Sequence, residues 1–198
     1  QGVSAAKWMF HEGDGKTTAG EPASWDFTAD TTPWYFVRDS ASSSDWAACS
    51  HSMYSPPGQS DDWMVTQRLY IADDSYILKF KSQSYQRGKE DYLKVYVWES
   101  DDVITALTPS IVNNIRYAGR LVYSEQTMEG DWRLNEVGLG DFAGKNIYVA
   151  FVNDNYNQSA IFMDDVEVSR DLQMAVQLFT PEFTVGESNL TVSGRVQN

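Results

Sequence analysis

The sequence is poor in the residues that most enzymes and nucleic-acid binders use. It has one cysteine, two histidines, and only 15 Lys and Arg against 28 Asp and Glu in 198 residues. A lone Cys49 cannot form an internal disulfide, and without His-rich or Cys-rich spacing it cannot nucleate a zinc site. It reads as a small buried apolar side chain. The formal charge of -13 repels phosphate-bearing partners at long range, which argues against nucleic acid and anionic membrane surfaces. No run reaches transmembrane length, so direct membrane insertion is not expected. The opening "QGVSAAKWMF" lacks a basic segment followed by an apolar core and a cleavage site. A signal or lipid anchor of an exported protein is therefore expected outside this sequence.

Catalytic patterns are equally scarce. His11 and His51 are isolated, and no Gly-x-Ser-x-Gly elbow occurs. "GLGDFAG" precedes a strand, where a phosphate loop would need a helix N-terminus. Carboxylate pairs prove nothing in a chain with 28 acids. The sequons at Asn157 and Asn189 read as turn residues. The expectation is a noncatalytic protein.

What the sequence does have is a core, with 42% hydrophobic and 14% aromatic residues, and strand periodicity. "YILKFKS" separates Tyr76, Leu78 and Phe80 from Ile77, Lys79 and Lys81. "YLKVYVWE" separates Leu93, Val95 and Val97 from Tyr92, Tyr96 and Trp98. "NIYVAFVN" is apolar on both faces, as a central strand is, and "DDWMVTQRLYI" places Trp63, Val65, Leu69 and Ile71 on one face. Turn material such as "SPPGQSDD" and "VNDNYNQ" separates the strands at the spacing of a sandwich, so the predicted class is all-β. Only "DDVITALTPSIVNN" suggests helix, capped by Asp101 or Asp102 and limited by Pro109 to a turn or two. "SRDLQ" reads as a join. Residues 1–171 are expected to form one β-sandwich, and residues 172–198 the truncated start of an immunoglobulin-like module.

Four stretches in order, "SWDFTADTTPW", "SDDWMVTQRLYI", "EDYLKVYVWES" and "LGDFAGKNIYVAFVNDNYNQSAIFMDDVEV", resemble the bacterial cleaved-adhesin or choice-of-anchor J family. This is the module repeated in the adhesin regions of gingipains and distantly similar to MAM domains. The resemblance covers about residues 8–170. It departs at Gln67, where the family has proline, and in "TADTTPW", where the family has a more acidic, calcium-loop-like segment. It implies a jelly-roll sandwich similar to galactose-binding-like domains, exported to the surface of a Gram-negative bacterium as a noncatalytic part of a larger protein.

Two sets of candidate site residues follow. In "AIFMDDVEV" strict alternation puts Asp164 inward with Ala160, Phe162, Val166 and Val168, and Asp165 outward with Glu167. An unpaired buried carboxylate costs several kcal/mol, so Asp164 is expected to meet a cation, an Arg or several N–H donors. One reading is a structural Ca2+ held by Asp164 with Glu12, Asp14, Asp26 and Asp30. The other is hydrogen bonding from a neighbouring loop. For ligand binding, Trp25, Trp34 and Trp63 read as core, whereas Trp46, Tyr54, Asp154, Asn155 and Tyr156 lie in or beside turns where an aromatic face and polar groups can meet a sugar. The row Tyr92, Tyr96 and Trp98 reads first as a sheet face covered by a loop or by another layer.

These features predict a monomeric extracellular adhesion module recognising host protein or carbohydrate. The alternatives are a structural spacer or assembly module of a larger surface lipoprotein, and a carbohydrate-targeting accessory domain of a secreted hydrolase.

Overall fold

A computed structural model describes residues 8–17, 33–38, 46–85, 88–127 and 132–171, and the backbone of strands at 175–179 and 193–197. In chain order the elements are β1 (Trp8–Glu12), β2 (Tyr35–Arg38), β3 (Trp46–His51), β4 (Asp62–Thr66), β5 (Leu69–Ile71), β6 (Tyr76–Ser84) and β7 (Tyr92–Glu99). They continue with α1 (Pro109–Ala118), β8 (Arg120–Gln126), β9 (Arg133–Gly138), β10 (Lys145–Asn153), β11 (Ala160–Arg170), β12 (Ala175–Phe179) and β13 (Ser193–Gln197). The result is an all-β jelly-roll sandwich. One sheet has the order β1-β4-β10-β7-β8, with β5 also paired to β10, and the other runs β2-β3-β11-β6-β9. Strands β12 and β13 pair with each other, from Ala175 opposite Gln197 to Phe179 opposite Ser193.

The interior follows the alternation. Leu78 and Phe80 of β6, and Leu93, Val95 and Val97 of β7, meet Val149 and Phe151 of β10 between the sheets. The side chain of Phe151 takes Phe80 edge-on at 5.5 Å and Trp8 at 5.9 Å between centroids, an arrangement that aromatic quadrupoles favour. Strand β10 is buried from Ile147 to Asn153 because its second face is also covered. There α1 lays Val112 and Ile115 over Trp63, Val65, Tyr148 and Val152.

Two β-bulges change what simple alternation predicted. Val65 faces Ala150 and Leu69 faces Ile147, so between these pairs Thr66, Gln67 and Arg68 stand opposite only Tyr148 and Val149. The extra residue inverts the phase at Gln67. Trp63 and Val65 point outward under α1, while Leu69 and Ile71 point into the core, and the single face expected for all four does not exist. Thr66 mends the ladder there, its Oγ1 accepting from the Val149 N–H at 3.0 Å.

The second bulge lies in β11, where Asp164 faces Lys81 and Glu167 faces Lys79. Its extra residue, Asp165, has φ 49°, in the left-handed region that Asp tolerates better than most side chains. Val166 and Val168 thereby join Ile161 and Met163 on the inner face. Asp164 does not point inward. It lies partly exposed on the outer face opposite Lys81, and its Oδ1 accepts the Asp165 N–H at 2.7 Å. Asp165 pairs with Lys81 at 2.7 Å.

The helix also starts later and runs longer than expected. Thr108, not Asp101 or Asp102, is the N-cap, its Oγ1 accepting from Ile111 N at 3.3 Å, and Pro109 begins the helix instead of limiting it. Proline is suited to the first helical position because its missing N–H has no intrahelical acceptor there.

Candidate functional site

At one end of the sandwich the core becomes polar. Ser50, Ser52, Ser60, Asp62, Asp91, Asn153, Asn155 and Ser159 are all buried. Burial of this kind is tolerated only when the groups satisfy one another. Ser50 Oγ donates to Asp62 Oδ2 at 2.9 Å and accepts from Asn153 Nδ2 at 3.1 Å. Asn155 uses its amide as a piece of strand, with Oδ1 accepting from Tyr92 N and Nδ2 donating to Tyr92 O, both at 2.8 Å. Asp91 accepts from Ser52 Oγ in a short contact and from Ser159 N at 3.1 Å. Burial pushes its carboxyl up to about 7 against the effect of those two donors.

Beside this plug Glu12, Asp14 and Asp62 bring one carboxylate oxygen each within 4.8 Å of one another. Burial raises the Asp62 carboxyl well above the usual range, and the charges of Asp14 and Glu12 raise it further. Tyr54 closes the cluster from within, its hydroxyl 3.0 Å from Asp14 Oδ2 and 3.4 Å from Asp62 Oδ2. Glu12 Oε1 accepts from the N–H groups of Asp14 and Gly15, and Asp14 Oδ2 accepts from Asp61 N at 2.9 Å. Hard oxygen donors with excess negative charge suit a hard divalent cation.

Next to the cluster, on the face of the first sheet that α1 partly covers, lies an open cleft of about 520 Å³. Tyr96 supplies an aromatic surface, backed by the buried Trp63 ring 5.9 Å away. Asp61 is held from three sides. Trp63 Nε1 donates to Oδ1 at 2.7 Å, Arg116 Nη2 reaches both oxygens at 2.5 and 2.8 Å, and Gly13 N donates to the Asp61 carbonyl at 2.9 Å. Only glycine fits at position 13, because a Cβ there would lie 2.3 Å from Asp61 Oδ2. On the adjacent strand Lys94 Nζ pairs with Asp154 Oδ2 at 2.7 Å, Gln59 Nε2 donates to the Asp154 carbonyl, and Lys16 Nζ donates to the Gln59 carbonyl at 2.7 Å.

The sequence candidates scatter across this picture. Asp154 lines the cleft, and the exposed Tyr156 stands beside it through its bridge to Gln59. Tyr54 and Asn155 are buried and hydrogen-bonded within the fold, so neither presents a free surface to a ligand. Trp46 is exposed under the Arg38 guanidinium on the other sheet. Of the proposed metal ligands Glu12 and Asp14 belong to the carboxylate cluster and Asp164 does not, while Asp26 and Asp30 lie outside the described residues, as does Trp25. Trp34 and Trp63 are core, as expected. Tyr96 and Trp98 are partly covered by packing against the α1 side, whereas Tyr92 stays about half exposed.

Sequence reasoning missed Asp61, Asp62, Asp91 and Arg116. The only signal was that "SDD" and "KED" end turns just before buried strands. Cys49 is fully buried, and burial pushes its thiol up, which disfavours the nucleophilic thiolate. His51, stacked on Tyr35 at 5.6 Å, is held down to about 4 by burial.

No protein-family model matches the sequence, and no curated protein is significantly similar to it. Solved structures do match. The K3 cleaved adhesin domain of Lys-gingipain from Porphyromonas gingivalis superposes with a TM-score of 0.56 at 22% identity, covering 84% of this chain and 91% of that one. The fold is that of a cleaved adhesin domain. The K1 domain of the same protein gives 0.52 at 16% identity over 86% and 94% of the two chains. The K2 domain gives 0.54 at 15% over 83% and 90%. A cleaved-adhesin fold is what the four sequence stretches implied. At these identities the likeness extends to the fold and not to a ligand.

Proposed function

We propose that this chain is a noncatalytic extracellular binding module that recognises protein or carbohydrate through the cleft beside α1. The observation that carries this reading is the cleft itself. Groups from five separate segments, Gln59, Asp61, Tyr96, Arg116 and Asp154 among them, converge on one open volume of about 520 Å³, within the range of small-ligand sites. Most stand on or next to strands and a packed helix, which fix their positions before any ligand arrives. Placement at the cell surface follows by analogy with the gingipain adhesin domains. Among the described residues no helix is long and apolar enough to cross a membrane.

A structural Ca2+ belongs to the same reading, with Glu12, Asp14 and Asp62 as its protein ligands in place of the Asp164 set. When bound it would offset the charges of Asp14 and Glu12 that add to burial in raising Asp62, and would tie β1 to β4. The spacer reading draws on the β12–β13 pair that follows the sandwich, and a spacer needs no ligand. An array of glycans and extracellular matrix proteins, probed with the whole chain, separates the two. Capture that is weakened by Tyr96→Ala supports the binding module. No capture of any probe refutes it in favour of the spacer.

A further inference from the structure

The cleft is selective by its charge pairing, and we infer that it takes an uncharged sugar, a neutral pyranose unit of a glycan. This rests on the binding-module reading above and names the ligand class of that same site. Each cation lining the cleft already faces a carboxylate. Arg116 holds Asp61, and Lys16 lies 3.6 Å from Asp14, while Asp154, the cross-strand neighbour of Asp61, is held by Lys94. The side chains of the Asp61–Arg116 and Lys94–Asp154 pairs are only 28–33% exposed, so their partners are partly desolvated. A sulfate or uronate would have to break one of these pairs to find a cation, leaving a half-buried carboxylate unpaired, in a lining of three carboxylates and two cations. A free amine would have to displace an existing cation.

A hydroxyl requires neither exchange. It donates and accepts at once, so it can donate to a carboxylate lone pair and accept from an Arg or Lys N–H while the pair stays intact. The two pairs stand side by side, because the register that sets Asp62 opposite Asn153 and Gln59 opposite Tyr156 also sets Asp61 beside Asp154, and they match neighbouring hydroxyls on one ring. The carboxamide of Gln59, which donates to the Asp154 carbonyl, lines the same cleft. Tyr96, with Trp63 behind it, offers the flat surface that the apolar C–H face of a pyranose covers. The site thus combines a stacking surface with fixed polar groups that reward hydroxyls and resist net charge.

The test is isothermal calorimetry in 0.15 M salt with the whole 198-residue chain. The probes are neutral trisaccharides (cellotriose, xylotriose, mannotriose and a galactotriose), with trigalacturonate and a glucosamine trimer as charged counterparts. The expected result is that at least one neutral probe binds at least tenfold more tightly than either charged one. Tyr96→Ala and Asp154→Asn each weaken that binding at least tenfold, and Trp46→Ala leaves it unchanged. If Tyr96→Ala fails to fold by circular dichroism, Gln59→Ala and Asp154→Asn carry the test. Tighter binding of a charged trimer overturns the inference. So does neutral-sugar binding that Trp46→Ala abolishes while the cleft variants retain it, although that result leaves the binding-module reading standing. Capture of a matrix protein with no saccharide binding also overturns the inference alone. No saccharide binding together with no capture of any matrix protein overturns both.

Discussion

Asp91 gives the sharpest test of the polar plug. It has no exposed surface, and burial raises its carboxyl from an ordinary 3.8 to about 7. For an acid raised in the folded state, the native protein holds one proton more than the unfolded chain between those two values, so stability falls as pH rises through that window. Between pH 5 and pH 8 the linkage is on the order of 3 kcal/mol. Asn at 91 keeps an oxygen for Ser159 N–H and offers an N–H to Ser52 Oγ, but carries no charge. The prediction concerns the difference between Asp91→Asn and the native protein, because other groups titrate in both. His51, lowered to about 4, contributes stability that rises between pH 4 and 6.5, and Asp62 contributes in the same direction as Asp91. Urea unfolding at half-unit intervals from pH 5 to 8 would show the variant gaining on the native protein by roughly 3 kcal/mol. At an m-value of about 2 kcal/mol/M this is a relative midpoint shift of roughly 1–2 M. A difference that stays constant across the range would refute the argument that Asp91 is protonated in the plug at pH 5.

Added Ca2+ at a hundredfold excess over its Kd would stabilise the fold by about 2.7 kcal/mol, which for a chain of this length means about 5–10 °C in melting temperature. Chelator would reverse the gain and Asp62→Asn would abolish it, whereas a melting temperature indifferent to both reagents removes the ion from the account. Thr108→Ala deletes the side-chain acceptor at the start of α1 and should cost about 1 kcal/mol in chemical denaturation. At the β11 bulge, Asp165→Val places a β-branched side chain at φ 49° and should cost about 1–2 kcal/mol, while Asp165→Gly stays near neutral because the surface pair with Lys81 contributes little. Equal losses for the two variants would show that the left-handed backbone is not what constrains that position.

Strand periodicity was legible wherever the ladder is regular. Tyr92 to Glu99 and Tyr76 to Ser84 bury the residues their alternation announced, because side chains on a pleated strand must take opposite faces in turn. Legibility failed where one residue was inserted into the ladder. At Gln67 and at Asp165 a bulge inverts the phase, and a bulge reflects the register forced by the neighbouring strand more than any local composition. The same limit hid the cleft. Asp61 and Arg116 are 55 positions apart, and Lys94 and Asp154 are 60 apart, so nothing in either local stretch marks them as partners.

By itself the sequence determined the all-β class, the strands of the core and the acidic character of the chain, since each depends on short-range pattern or on a sum over residues. Tertiary structure alone decided which carboxylates share a site. Asp164, central in the sequence reading, is turned to the outer face by the ladder around it. Asp62, in what looked like an ordinary turn, is brought against Glu12 when β4 pairs with β1. Electrostatic neighbours are set by strand pairing between distant segments, and that pairing is a property of the whole sandwich.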